Sequence, residues 1–264
     1  MLTFNNLIRR TYFIPLIRGI LATLEETYGQ PVDIEFTASV EAGERIRINL
    51  VQCRPLFTQG SLTDVMVPTS LDHQQILFRA NRMICGGSVE GIRYILYIDP
   101  QHYNRLDPEA KKTLGRLVGQ INRHTALQCN KMIMMGPGRW GRSNIALGVN
   151  VSYADIDNSA VLVEMALEEA GHFPEVSYGT HFFHDLIEAQ IIYLPVYPDD
   201  HASGFQKKFF ENAPNRLSEL LPHAHEYESV LRVIDVPKAT GGAFAKVVAD
   251  PQRHQAVCFL DKKK

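Results

Sequence analysis

The sequence predicts an α/β chain, with α+β as the alternative, and three observations lead there. Stretches with apolar residues at helical spacing alternate along the chain with short, strand-like apolar runs. The 18 glycines and 14 prolines fall mostly between these stretches, and they are too few for a disordered chain. Hydrophobic residues make up 45% and charged residues 21% of the 264 positions, a globular mix with enough apolar material for a core. This length fits one large domain or two modest ones.

The elements follow in order. Phe13, Leu16, Ile17, Ile20, Leu21, Leu24 and Tyr28 form one stripe, which predicts an amphipathic helix over residues 12–28, ended by Gly29 and Pro31. Val32 to Thr37 alternates strictly, and Arg45 to Arg54 alternates again with Ile46, Ile48 and Leu50 on one face. The polar stretch 39–44 between them reads as a turn, so the two strands are expected to form a hairpin packed on the helix. Residues 55–75, with Pro55, Gly60 and Pro68, read as irregular.

A second unit is expected from about residue 76. Its strands are 91–99 (closed by Pro100), 131–135, 160–164, 188–197 (its end demoted by Pro195) and 230–236. One helix opens at Asp107-Pro108-Glu109, where Asp caps, Pro takes the first turn and Glu complements the helix dipole, and it runs to about His124. A second runs from a Thr180 cap to about residue 187, and a short third covers 214–222. From Lys238 onward, Gly241-Gly242 and three terminal lysines predict a frayed tail. The expected division is 1–57, a linker at 58–70, a mixed α/β domain at 71–250 and a tail at 251–264.

Lys and Arg number 27 against 29 Asp and Glu, a net charge of −2, which argues against the basic stripe of a general nucleic-acid binder. No apolar run approaches the ~20 residues of a membrane-spanning helix. Arg9-Arg10 before the apolar stretch 12–24 resembles a secretory leader only faintly, because Pro15 and Arg18 interrupt it and Glu25-Glu26 follow. The cysteines, Cys53, Cys85, Cys129 and Cys258, are scattered without a CxxC pair, so they read as reduced thiols and predict a cytoplasmic location.

Three clusters carry chemistry. Asp33 and Glu35 share one face of their strand, and Gln52 and Arg54 share one face of theirs. A carboxylate beside Arg and Gln can hold Mg²⁺ and a triphosphate, although whether Glu35 meets Gln52 depends on the hairpin register. The plainer reading is a charged, solvated hairpin face. Next, GPGRWG at 136–141 matches G-x-G-x-x-G, but residues 142–151 carry no helical stripe, which excludes a dinucleotide fingerprint. What is left is a rigid turn that sets Arg139, Trp140, Arg142 and Ser143 at a strand end, suited to a phosphate or carboxylate. The alternative is a tight turn in which Trp140 plugs the core. Finally, in GTHFFHD, His181 and His184 stand three residues apart next to Asp185. A metal pair, an anion contact through His181 at the helix start, and plain packing all stay open. His201, His223 and His225 lie in polar loops and read as solvated.

The stretch PVDIEFTASV…RIRINLVQCRPL resembles the closing hairpin of the ATP-grasp domain in the phosphoenolpyruvate synthase and pyruvate, phosphate dikinase family, with its preceding helix in the same order. GPGRWGRSNIALG followed by GTHFFHDL is similar to a downstream region of PEP/pyruvate-binding proteins, with Arg142 where that region has Ser. The resemblance covers the chain to about residue 197 and implies a partial ATP-grasp hairpin-plus-helix followed by a mixed-sheet α/β domain. It implies ATP-dependent, kinase-type phosphoryl transfer, with ATP and Mg²⁺ as cofactors only when the other ATP-grasp half is supplied. Glu35 would be the metal and nucleotide ligand, and Gln52 and Arg54 would lie at the phosphates as binding and catalytic residues. The family's nucleotide-binding N-terminal half, its phosphohistidine motif and its barrel have no counterpart here. The expectation is therefore the carboxy-terminal portion of a larger enzyme, working with a partner chain that carries the other ATP-grasp half. The alternative is a non-catalytic module that binds a small anionic metabolite at Arg139, Arg142, Ser143 and His181. No nucleic-acid or membrane partner is expected.

Overall fold

The computed structural model describes residues 4–40, 45–55, 65–141, 148–167 and 176–262. The chain divides into two compact units, Met1–Thr58 and Gln59–Lys264. Its elements are mixed α/β, in agreement with the predicted class.

The smaller unit comprises α1 (Asn5–Arg10), α2 (Phe13–Tyr28), β1 (Val32–Val40) and β2 (Ile46–Pro55). α2 covers the predicted apolar stripe and ends where Gly29 turns left-handed at φ 69°, a conformation glycine enters without a Cβ penalty. β1 and β2 pair antiparallel. The helix meets the hairpin face that carries Ile34 and Phe36, with the Phe13 and Phe36 rings 6.0 Å apart. Burial here is shallow. Among the described residues of this unit Val32 alone is buried, while Phe4, Tyr12, Val40, Leu50 and Val51 are exposed.

The larger unit is an eight-stranded mixed sheet. Its elements are β3 (Ile76–Ala80), β4 (Gly87–Ile98), α3 (Pro100–Arg105), α4 (Pro108–Asn122), β5 (Lys131–Pro137), β6 (Val161–Met165), α5 (His181–Glu188) and β7 (Ile192–Val196). They continue with α6 (Lys207–Asn212), α7 (Leu217–Leu220), β8 (Leu231–Asp235), α8 (Val236–Thr240), β9 (Phe244–Asp250) and β10 (Gln255–Asp261). The strand order is β3-β10-β9-β4-β5-β6-β7, with β8 paired to the end of β4. β4 to β7 run parallel. α3 and α4 lie in the connection from β4 to β5, and α5 in that from β6 to β7, crossovers of the kind parallel neighbours require. One face of the sheet packs Leu114, Leu117, Val118 and Ile121 of α4 with Leu186 of α5. On the other face Leu77 of β3 joins Leu194 and Val196 of β7 in one cluster, so the two edges of the sheet curl toward each other.

Several sequence expectations are corrected. The segment from Lys238 is not a frayed tail: β9 and β10 are interior strands of the sheet, with Ala245, Val247, Val257 and Cys258 fully buried. Pro100 ends β4 but also opens α3, whose first turn Asp99 caps by accepting from the His102 N–H at 2.8 Å. β7 begins at Ile192 rather than at 188, because α5 runs to Glu188. Pro195 is tolerated inside β7 because β7 lies at an edge, where an absent N–H leaves no ladder bond unmade.

Candidate functional site

The hairpin register decides the question the alternation left open. Glu35 pairs with Gln52, and Asp33 with Arg54. Directly opposed residues project to the same side of a sheet, so all four polar side chains share one face. Arg54 Nε reaches Asp33 Oδ2 at 3.5 Å. The register shifts just after Glu35, so that Val51 becomes a bulge residue, and it is 64% exposed. A carboxylate oxygen such as that of Glu35 is a ligand type Mg²⁺ takes beside phosphate oxygens. Among the described residues no group of three or more His, Cys, Asp or Glu is arranged to hold a metal.

In the larger unit the two sequence motifs converge on a residue that the sequence reading passed over. Glu164 of β6 is fully buried. Its Oε1 accepts from the Trp140 backbone N–H at 2.8 Å and from Ser177 Oγ at 2.6 Å. Its Oε2 accepts from the Ser177 backbone N–H at 2.7 Å and from Tyr193 Oη at 2.6 Å. Burial pushes the Glu164 carboxyl above the ordinary range, and the four donors pull against that shift. Ser177 in turn accepts, through its carbonyl, from Thr180 Oγ1 at 2.6 Å, and Thr180 caps α5. One carboxylate thus fastens the GPGRWG turn, the segment before GTHFF, and β7. A lone Glu inside the apolar run VLVEM was the available signal, since a buried charge must be paired.

Trp140 is fully buried, which favours its reading as a core plug. Arg139 donates from Nε to the Val176 carbonyl at 3.1 Å. Gly141 sits at φ 74°, and a Cβ there would meet the Phe182 ring at 2.4 Å, so the end of GPGRWG touches the start of α5. His181 is exposed at that helix start. Arg142 and Ser143 lie outside the described residues.

Gly141 also lines a polar cleft of about 670 Å³ along α4. Lys112, Arg116, Gln120 and Arg123 form one wall and Asn150 to Ser152 with Asp155 the other. Gly115 and Gly119 bring the walls together: a Cβ would meet the Asn150 carbonyl at 2.1 Å and Asp155 Oδ1 at 2.3 Å. Burial works against the charge on Asp155. Hydrogen bonds from Ser152 (N–H at 2.9 Å, Oγ at 2.7 Å) and from Arg123 Nη1 at 3.2 Å outweigh it and hold the pKa below its ordinary 3.8.

A depressed folded pKa contributes stability that is present above the unfolded value and lost as the pH falls through the folded one. Urea denaturation across pH should therefore show an acid loss starting near pH 4. D155N should be less stable at neutral pH and show a shallower acid limb. An unchanged limb would mean that Asp155 is not ionically held.

A smaller hollow, about 110 Å³, lies at the carboxyl ends of the parallel strands between Tyr97, Asp99, Met165 and Lys207. It is below the volume of ordinary small-molecule sites.

Comparison of the chain with protein-family models, with curated proteins and with solved structures finds no match. No helix among the described residues is long and apolar enough to cross a membrane.

Proposed function

We propose that the smaller unit is the closing hairpin of an ATP site in a phosphotransferase of the phosphoenolpyruvate synthase type, completed by a partner chain or segment that carries the rest of the nucleotide pocket. The observation that supports this reading is the register, which sets Glu35 opposite Gln52 and Asp33 opposite Arg54 on one face. Bound there, Mg²⁺ would supply charge neutralisation between nucleotide phosphates. The chain's own residues do the rest. Glu35 offers an oxygen to the cation, Gln52 donates its amide N–H to a phosphate oxygen, and Asp33 orients the Arg54 guanidinium toward the same phosphates. The shallow burial of this unit, with Leu50 and Val51 exposed, is in keeping with a surface that another part of the pocket covers.

Calorimetric titration of the full chain with MgATP tests the reading. The expected result is weak, Mg²⁺-dependent binding that E35Q and R54A each reduce at least ten-fold, or about 1.4 kcal/mol. Binding that ignores Mg²⁺, or that survives both substitutions, would remove the hairpin from the site.

A further inference from the structure

We propose that the cleft along α4 binds a small dianion of the phosphate-ester class. The inference goes beyond the nucleotide reading and does not depend on it. Lys112, Arg116, Gln120 and Arg123 recur at intervals that place them on one stripe of α4, next to the stripe that Leu114, Leu117, Val118 and Ile121 bury in the core. Such a charged stripe is normally a solvated face. Here its exposed side chains border a second wall, because Gly115 and Gly119 let the segment Asn150–Asp155 lie against the helix backbone. The cleft, about 670 Å³ and open to solvent, is within the size range of small-molecule sites.

Charge selects the ligand. Three cationic side chains line the cleft against one carboxylate, Asp155. That carboxylate is already engaged by Ser152 and Arg123, so its charge is locally answered. Lys112 pairs with Glu109, but the glutamate is 80% exposed and outside the cleft lining, and such a surface pair yields readily to a stronger partner. Arg116 makes no ion pair among the described residues. Gln120 is steadied by His223, whose Nε2 lies 2.9 Å from its Oε1. Lys112 and Arg116 stand one helical turn apart, roughly 6 Å, so both can reach a single phosphoryl group. The planar Arg116 fork suits two of its oxygens at once. Nucleic acid is a poorer fit, because the net charge is −2 and the cleft offers three cations in place of a long basic stripe.

The experiment titrates the full chain with inorganic phosphate and with pyrophosphate at matched ionic strength, followed by calorimetry and by amide chemical shifts. Saturable binding is expected, with shifts concentrated at Gly115, Gly119, Gly141 and Ser152. R116A should weaken it at least ten-fold and R116K less. K208A removes an exposed cation on α6, outside the cleft, and should leave it unchanged. Absence of binding, or equal losses in R116A and K208A, would overturn the proposal in favour of none or of diffuse surface charge. Because ATP also carries phosphates, the MgATP titration should be run on R116A as well. A loss there without a loss in E35Q would assign nucleotide binding to the cleft and not to the hairpin.

Discussion

Replacing Glu164 with alanine should destabilise the larger unit by about 3–5 kcal/mol, the range for breaking a buried, fully engaged charge network. The carboxylate accepts from Trp140 N–H, Ser177 N–H, Ser177 Oγ and Tyr193 Oη, all of them buried. Alanine leaves the Trp140 N–H with no acceptor and the Ser177 N–H with Tyr193 Oη alone, at 3.1 Å, and it opens a small cavity beside Trp140. The hydroxyls can turn to other acceptors, but a backbone N–H cannot. Glutamine should be milder, about 1–2 kcal/mol, because it keeps the volume and one acceptor oxygen and sets an NH₂ against donors on the other side. In a unit of this size the alanine variant should melt roughly 6–20 °C lower. If E164A and E164Q lose the same small amount, the network does not hold the two motifs together, and Trp140 is fixed by packing alone. Since the Ser177 carbonyl receives the Thr180 hydroxyl, the cap of α5 should fray in the same variant and raise amide exchange at its first turn.

This network also shows where sequence reading stops. The two units' periodic elements were legible because their signals are local. The stripe of α2, the Asp107-Pro108 opening of α4 and the Thr180 cap of α5 each specify structure within a few residues. β9 and β10 were not legible. Their runs FAKVVAD and QAVCFLD are short; they pair with each other as a hairpin, and what makes them interior strands is pairing with β4 and β3, more than 150 positions away in the chain. Local Gly241-Gly242 and terminal lysines pointed the other way.

The hairpin face was half legible. Alternation put Asp33 with Glu35 and Gln52 with Arg54, but only the register joined the two sets. The α4 cleft was invisible for another reason. Its cations read as a solvated helix face until the packing of Gly115 and Gly119 against a segment thirty-odd residues on gave that face a second wall.

The second large effect follows from the same kind of close approach. Gly148 forms an isolated antiparallel bridge with Gly138, and its carbonyl accepts from Tyr103 Oη at 2.8 Å. A Cβ on Gly148 would stand 1.9 Å from the Arg139 carbonyl oxygen and 2.4 Å from the Arg139 nitrogen. These are backbone atoms at the centre of the GPGRWG turn, so no side-chain rotation relieves the overlap. G148A should therefore cost about 3 kcal/mol or more, at the upper end of what overpacking usually costs. Gly204 is the control. Its backbone is left-handed, at φ 53°, but nothing lies within 4 Å of its Cβ position. G204A should lose only the conformational term, about 1 kcal/mol. Chemical denaturation of the two variants separates space from strain, because the substitution is identical and the surroundings differ. Equal losses would mean that residue 148 is not pressed against the turn. A large loss at 148 alone, with the near-ultraviolet signal of Trp140 altered, would show that the turn's geometry is imposed by its neighbour across the bridge and not by its own glycines.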